Sequence, residues 1–209
     1  MIKLQNINKS FGRKRIFENF DLMIQQGDFV VIHGASGKGK STLLNIIGLL
    51  ENPDSGTVTF KDKVIQKEKD KLTFKRDDIA YVYQHYGLLE NESVLKNLTL
   101  PLNVHKKDQA RIEAVMTRVG LENLPLNTKV YTCSGGEQQR IAIARAILKN
   151  PSIIIADEPT GNLDDHNSET VIEMFKALNA SGVTVVLATH EPMYFSIGSK
   201  EIDLDAIII

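Results

Sequence analysis

The sequence predicts an α/β domain: a mostly parallel sheet core interrupted by an inserted helical segment. Three observations carry that prediction. Apolar runs of strand length alternate with helical patterns, as crossover helices between parallel strands require. A glycine-rich loop joins the apolar run 28–33 directly to an apolar helix beginning near Lys40. From about Tyr86 to Asn150, strand signals vanish and helical spacing dominates.

Along the chain, residues 2–7 and 20–24 read as partly exposed strands, and 28–33 (DFVVIH) as a buried one. A helix is expected from about 40 to 50. Asn52-Pro53-Asp54-Ser55-Gly56 places Pro and Gly where a turn wants them. Residues 57–60 and 79–83 are further strand candidates. Helical spacing then covers 93–102, 108–119 and 134–148, punctuated by Pro101, Gly120 and Pro125. Sheet signals return at 152–156 and 183–188, separated by a helix near 167–178. The expected organisation is one domain over 1–209, with 1–85 and 151–209 as sheet-bearing parts and about 86–150 as the helical insertion.

The chain has 209 residues, 42% hydrophobic and 24% charged, a globular balance long enough to bury a core. A formal net charge of -1 argues against an electrostatic nucleic-acid binder. Basic clusters at 12–15 and 67–71 are expected as solvated loops. With one cysteine there is no internal disulfide framework, and a reducing cytosolic setting fits. The N-terminal residues alternate in polarity instead of forming an apolar signal core. No stretch approaches the ~20 apolar residues of a membrane helix. Any membrane role is therefore expected to come through a partner.

Gly34-Ala35-Ser36-Gly37-Lys38-Gly39-Lys40-Ser41-Thr42 matches the G-x-x-x-x-G-K-[ST] phosphate loop in the required context, after a buried strand and before a helix. Backbone amides would curl around a β-phosphate, Lys40 would reach the β- and γ-phosphates, and the Ser41 hydroxyl would ligate Mg²⁺. Lys38 adds a second cation, directed at phosphate or at solvent. The run 153–156 ends in Asp157 and Glu158. Asp157 suits Mg²⁺, and Glu158 suits polarising the attacking water. Gln84 and His190 each follow an apolar strand. Gln84 suits a metal or a water. His190 is either structural or a γ-phosphate partner. Phe11, expected in a short loop, either stacks on an adenine ring or serves a core or hinge role.

The run 133–140, CSGGEQQR, opens a helix with capping-box spacing between Ser134 and Glu137. Gly135 and Gly136 leave its first amides uncovered. The run is either an ordinary capped helix or an N-terminus suited to an anion.

Together these runs resemble the nucleotide-binding subunit of an ATP-binding-cassette (ABC) transporter, over essentially the whole chain and in the family's order. Residues 34–42 match the Walker A loop, Gln84 the Q-loop, 133–140 the signature run, Asp157 and Glu158 the Walker B pair, 161–164 the D-loop and His190 the switch histidine. Phe11 sits where the family places its adenine-stacking aromatic. The resemblance implies a P-loop NTPase fold with an N-terminal antiparallel β subdomain. It implies ATP and Mg²⁺ as cofactors, a catalytic set of Glu158, His190 and Gln84, and a metal set of Ser41, Gln84 and Asp157. It implies a head-to-tail homodimer in which ATP lies between the Walker loop of one copy and Ser134, Gly135, Gly136 and Glu137 of the other. Closure would drive a membrane-spanning permease, placing the chain at the inner face of the cell membrane. Residues 86–89 would then line the cleft receiving the permease, or Leu88 and Leu89 would pack into the helical segment.

Residues 156–164 (ADEPTGNLD) and 45–56 (NIIGLLENPDSG) resemble the lipoprotein-release, macrolide-export and bacteriocin-export branch, which implies a bacterial exporter with a separate permease. The alternative is a cell-division-like ATPase that regulates a membrane partner without transport. Three departures stand out: Cys133 where the family usually has leucine, Lys38 where it has a small residue, and an early C-terminus at IDLDAIII. Residues 206–209 are expected either as a closing strand or as an exposed edge.

Overall fold

The computed structural model describes residues 1–100 and 108–207. Strands β1 (Ile2–Phe11), β2 (Lys14–Ile24), β4 (Ser55–Phe60) and β5 (Lys63–Val64) form an antiparallel sheet in the order β2-β1-β4-β5. Strands β3 (Phe29–His33), β6 (Ile79–Val82), β7 (Ile153–Asp157), β8 (Thr184–Ala188) and β9 (Lys200–Asp203) form a second sheet, β6-β7-β8-β3-β9, with every pairing parallel.

Both faces of the parallel sheet are covered, which explains its unbroken apolar runs. Side chains alternate across it. Val30, Ile32, Ile153, Ile155 and Val186 pack with helix α1 (Lys40–Ile47) and with Ile2, Leu4 and Phe60 of the antiparallel sheet. Val31, Val82, Ile154, Ala156 and Leu187 face the other way. They pack with helices α3 (Val94–Thr99), α4 (Gln109–Arg118), α5 (Gly135–Leu148) and α6 (Asp165–Ala180). Each fully buried isoleucine contributes about 1.5–3 kcal/mol. Because β3, β6, β7 and β8 all run the same way, their carboxyl ends share one edge, and the phosphate loop, Gln84, Glu158 and Thr189-His190 all leave from it.

The structure corrects several expectations. The basic run 67–71 is no loop but the start of helix α2 (Glu68–Asp77). Acidic residues in its first turn and Lys75 and Arg76 in its last suit the helix dipole. Lys71 is buried, pairing with Glu68 and donating to Asn52 Oδ1 at 2.6 Å. Phe74 anchors the helix on Phe60, ring centroids 4.6 Å apart. The run is too polar for its hydrophobic pattern to announce a helix. A strand at 200–203 pairs with β3. Ala206 and Ile207 lie outside any strand, and Ile208 and Ile209 fall outside the described residues. The helix expected over 93–102 spans Val94–Thr99, capped by the Ser93 side chain, with Pro101 and Leu102 outside the described residues. Of the 12–15 cluster, only Gly12 and Arg13 form the hairpin turn; Lys14 and Arg15 begin β2, and all four are exposed.

Between β6 and β7 the described residues form three α-helices and no strand of either sheet. Helix α5 ties this layer to the sheet. Its Arg145 donates to Gly87 O at 2.6 Å and Tyr86 O at 3.0 Å, and Lys149 donates to the carbonyls of Lys75 and Ile79. Arg145→Ala strips the Tyr86 and Gly87 carbonyls of their charged donor. It is expected to cost about 1–3 kcal/mol in urea denaturation, and to raise amide exchange over residues 84–89 in particular.

Candidate functional site

The phosphate loop runs from His33 at the end of β3 to the first turn of α1. Gly39 takes φ 104, and a Cβ there would lie 2.5 Å from Ile16 Cγ2, so glycine alone lets the loop seat against β2. Gly34, Ala35, Ser36, Gly37 and Lys38 lie on the surface side of the turn, and the Gly37 carbonyl accepts from Lys14 Nζ at 2.8 Å. That bond moors the β1–β2 hairpin beside the loop. A cleft of about 550 Å³ opens here, lined in part by Gly34, Ala35, Ser36, Lys40, Glu158 and His190.

Lys40 Nζ donates to Gly34 O at 2.8 Å and lies 3.6 Å from Glu158 Oε1. Glu158 is mostly buried and holds φ 47, a conformation uncommon outside glycine that marks a constrained site. Its Oε2 accepts from the His190 backbone N–H at 3.3 Å and lies 2.6 Å from His190 Nδ1. Lysine, carboxylate and imidazole therefore meet in one cleft. His190, ambiguous on sequence, is two-thirds exposed and engages Glu158, so it is no packed core histidine.

Asp157 differs from its neighbour. Burial pushes its carboxyl above the usual range, opposed by a hydrogen bond from Ser41 and by Lys40. Its Oδ1 is buried without a hydrogen-bond partner. An orphaned carboxylate oxygen beside a serine hydroxyl and a phosphate loop fits a divalent cation that takes its other ligands from phosphate and water. Among the described residues no cluster of three His, Cys, Asp or Glu side chains could hold a metal by itself.

The signature run forms the N-terminus of α5. Ser134 Oγ accepts from Glu137 N–H at 3.2 Å, and Glu137 Oε2 accepts from Ser134 N–H at 2.8 Å, a complete capping box. None of Ser134, Gly135, Gly136 and Glu137 lines the cleft over their own phosphate loop, and Ser134 is exposed. Cys133 is buried in the helical core, where burial raises its thiol pKa.

Residue patterning overlooked the links behind this helix. Buried Gln139 donates to Pro159 O at 2.8 Å, directly behind Glu158. Arg140 donates to Asn167 Oδ1 at 2.8 Å, and Asn167 donates to both oxygens of Asp164 at 2.8 Å. A Cβ on Gly136 would collide with Asn167 Oδ1. Thr160 donates to Glu191, next to His190. The signature helix, the turn after Glu158 and the residues flanking His190 thus form one bonded unit. Apart from the Asp164–Asn167 cap, these bonds join residues 20 to 31 positions apart, for which sequence spacing held no signal.

A family model described as "ABC transporter" matches residues 17–161, more than half of the chain. The chain belongs to the ABC transporter family. As a member it is an ATPase. It is 44% identical over 202 residues, 92% of this chain and 87% of the relative, to the uncharacterized ABC transporter ATP-binding protein YknY of Bacillus subtilis. It is 40% identical to the arginine transport ATP-binding protein ArtM of Bacillus subtilis, over 91% of this chain and 81% of ArtM. It is 39% identical to the lipoprotein-releasing system ATP-binding protein LolD of Bacteroides thetaiotaomicron, over 91% of this chain and 90% of LolD. Its structure is similar, at a TM-score of 0.82 and 36% identity, to a dimeric post-hydrolysis ATP-binding cassette, MJ0796, bound to ADP and Pi. That match covers 91% of this chain and 88% of the other.

Of the sequence-predicted residues of this ABC protein, Ser41, Asp157, Gln84 and Phe11 are also absent from the cleft lining. Gln84 does not line it; a Cβ on Gly161 would lie 3.1 Å from Gln84 Nε2, so the amide rests against the turn after Glu158. The Gln84 carbonyl also accepts from Asn162 at 3.0 Å. Phe11 ends β1 instead of lying in a loop, and it is 51% exposed with Lys9 Nζ 5.1 Å from its ring centroid, which rules out the core role. Leu88 packs on the helical core, while Leu89 is exposed.

Asp157 has a raised folded pKa, so its ionised form costs stability as pH climbs from the ordinary carboxylate range through the raised value. Asp157→Asn is therefore expected to raise the melting temperature of the nucleotide-free protein at pH 7. With MgATP at a hundredfold over Kd the wild type gains about 2.7 kcal/mol. The variant is expected to gain clearly less, read by thermal shift with and without Mg²⁺.

Proposed function

We propose that this ABC ATPase energises a membrane permease carried on a separate polypeptide, working as an ATP-dependent head-to-tail homodimer at the inner face of the cell membrane. The observation that carries the reading is the split site. Lys40, Glu158 and His190 converge on one cleft, whereas the exposed cap of Ser134 stands away from it. A second copy would supply Ser134 to the open side, and the dimeric state of the cassette MJ0796 supports that arrangement.

Within each site, Lys40 would bind phosphate, Ser41 and Asp157 would hold Mg²⁺, and Glu158 would orient the attacking water. Gln84 would ligate the metal or the attacking water. Phe11, exposed on the hairpin that Lys14 moors to the loop, stacks on adenine. Release of Lys40 from Glu158 on phosphate binding frees the carboxylate for water.

The permease docks in the groove of about 350 Å³ between β6 and α5, lined by Tyr81, Tyr83, Gly87, Arg145 and Lys149. Tyr81 and Tyr83 stack there with centroids 5.4 Å apart. Among the described residues no helix is long and apolar enough to cross a membrane, in keeping with attachment through a partner. The cargo is exported: a peptide, bacteriocin, lipoprotein or drug. The runs 156–164 and 45–56 and the lipoprotein-releasing name of one relative support export, although another relative is named for arginine transport.

Glu158→Gln is expected to lower ATP turnover by at least about a hundredfold and to trap a dimer on gel filtration with MgATP. A folded variant that stays monomeric at saturating ATP would sink the shared-site model. Ser134→Ala is expected to lower turnover while leaving the ATP affinity of the monomer unchanged; a large loss of monomer affinity would place Ser134 in its own chain's site.

A further inference from the structure

The segment behind β9 crosses the mouth of the phosphate loop. Leu204 N–H donates to His33 O at 2.9 Å, extending the β3–β9 pairing to the last residue before the loop. Asp205 then sets its carboxylate against the loop itself. Its Oδ2 accepts from Ala35 N–H at 2.9 Å, and its Oδ1 lies 3.6 Å from Lys38 Nζ. The Asp205 N–H donates to Asp203 Oδ1 at 2.8 Å, which fixes the turn that aims it. The fit is close: a Cβ on Gly34 would lie 3.1 Å from Leu204 Cβ. Lys38, the loop position that departs from the family pattern, thus has a counter-charge from the far end of the chain.

We propose that Asp205 is a positioning residue for the phosphate loop, holding its first turn in the form that accepts ATP and coupling nucleotide affinity to the seating of the segment behind β9. This inference rests on the ATP-binding reading of the cleft. Two effects oppose each other. A carboxylate in this cleft repels a triphosphate, and an acceptor on Ala35 N–H orders the loop. Ordering wins for two reasons. Asp205 occupies the amide at the start of the loop, and the first-turn amides of α1, at Lys40 and Ser41, point along the helix axis and remain for phosphate. Its charge is also partly offset by Lys38, with Lys40 in the same cleft. Glu201 and Asp203 are directed elsewhere, lying 2.7 and 3.7 Å from the ring nitrogens of His33.

The test titrates a fluorescent ATP analogue with Mg²⁺ into the full chain and its variants, alongside melting curves and steady-state hydrolysis. Asp205→Ala is expected to weaken binding about three- to tenfold, the range for losing one hydrogen bond, and to raise KM while kcat holds. Asp205→Asn is expected to bind like the wild type, because its amide oxygen still accepts from Ala35 N–H. Ala35→Pro removes the donor from the loop's side, and Asp205→Ala should add nothing in that background. It also answers the question should Asp205→Ala fail to fold. Binding by Asp205→Ala as tight as wild type, or tighter, overturns the proposal in favour of repulsion. Equal weakening by Asp205→Asn overturns it by showing that the acceptor is not what matters. A wild type that binds no analogue would instead overturn the ATP reading itself, and the positioning role with it.

Discussion

Burial of the parallel sheet on both faces is the constraint from which the site follows. Strands sealed between α1 and the antiparallel sheet on one side and α3 to α6 on the other cannot slip by one residue without turning Ile153 and Ile155 out of their layer and Ile154 into it. Register is therefore held firmly, and with it the position of whatever leaves each strand. The phosphate loop, the Asp157-Glu158 pair and His190 come from three distant parts of the chain. They meet because β3, β7 and β8 are parallel neighbours ending at one edge.

That rigidity allows a site under electrostatic and conformational tension. Asp157 carries an unpartnered buried oxygen, Glu158 sits at positive φ, and Lys40 is paired internally with the carboxylate expected to handle water. The first two are unfavourable in isolation, and a bound cation would satisfy the Asp157 oxygen. The surrounding core, not the site, supplies the stability that tolerates it.

The helical layer is joined to this edge by polar contacts as well as by packing. Gln139 reaches the turn behind Glu158, Arg140 reaches the D-loop through Asn167, and Arg145 holds the backbone after Gln84. Residues beside Glu158 and residues on the proposed dimer and permease surfaces thus belong to one hydrogen-bonded framework.

Local chemistry is what the sequence by itself determined. The phosphate loop, the capping box of Ser134 and Glu137, and the strand-borne Asp157 and Glu158 need only near neighbours in the chain, so spacing reveals them. Core strands of high apolarity were legible for the same reason. Helix α2 was not, because its order comes from an ion pair, a dipole and one aromatic contact within a polar run. Only the tertiary structure decided which ambiguous residues meet: His190 on Glu158, Gln84 beside Gly161, Phe11 at the surface, Asp205 on Ala35. These contacts are set by strand order and by the path of the chain behind β9, and pairings across many residues leave no periodicity to read.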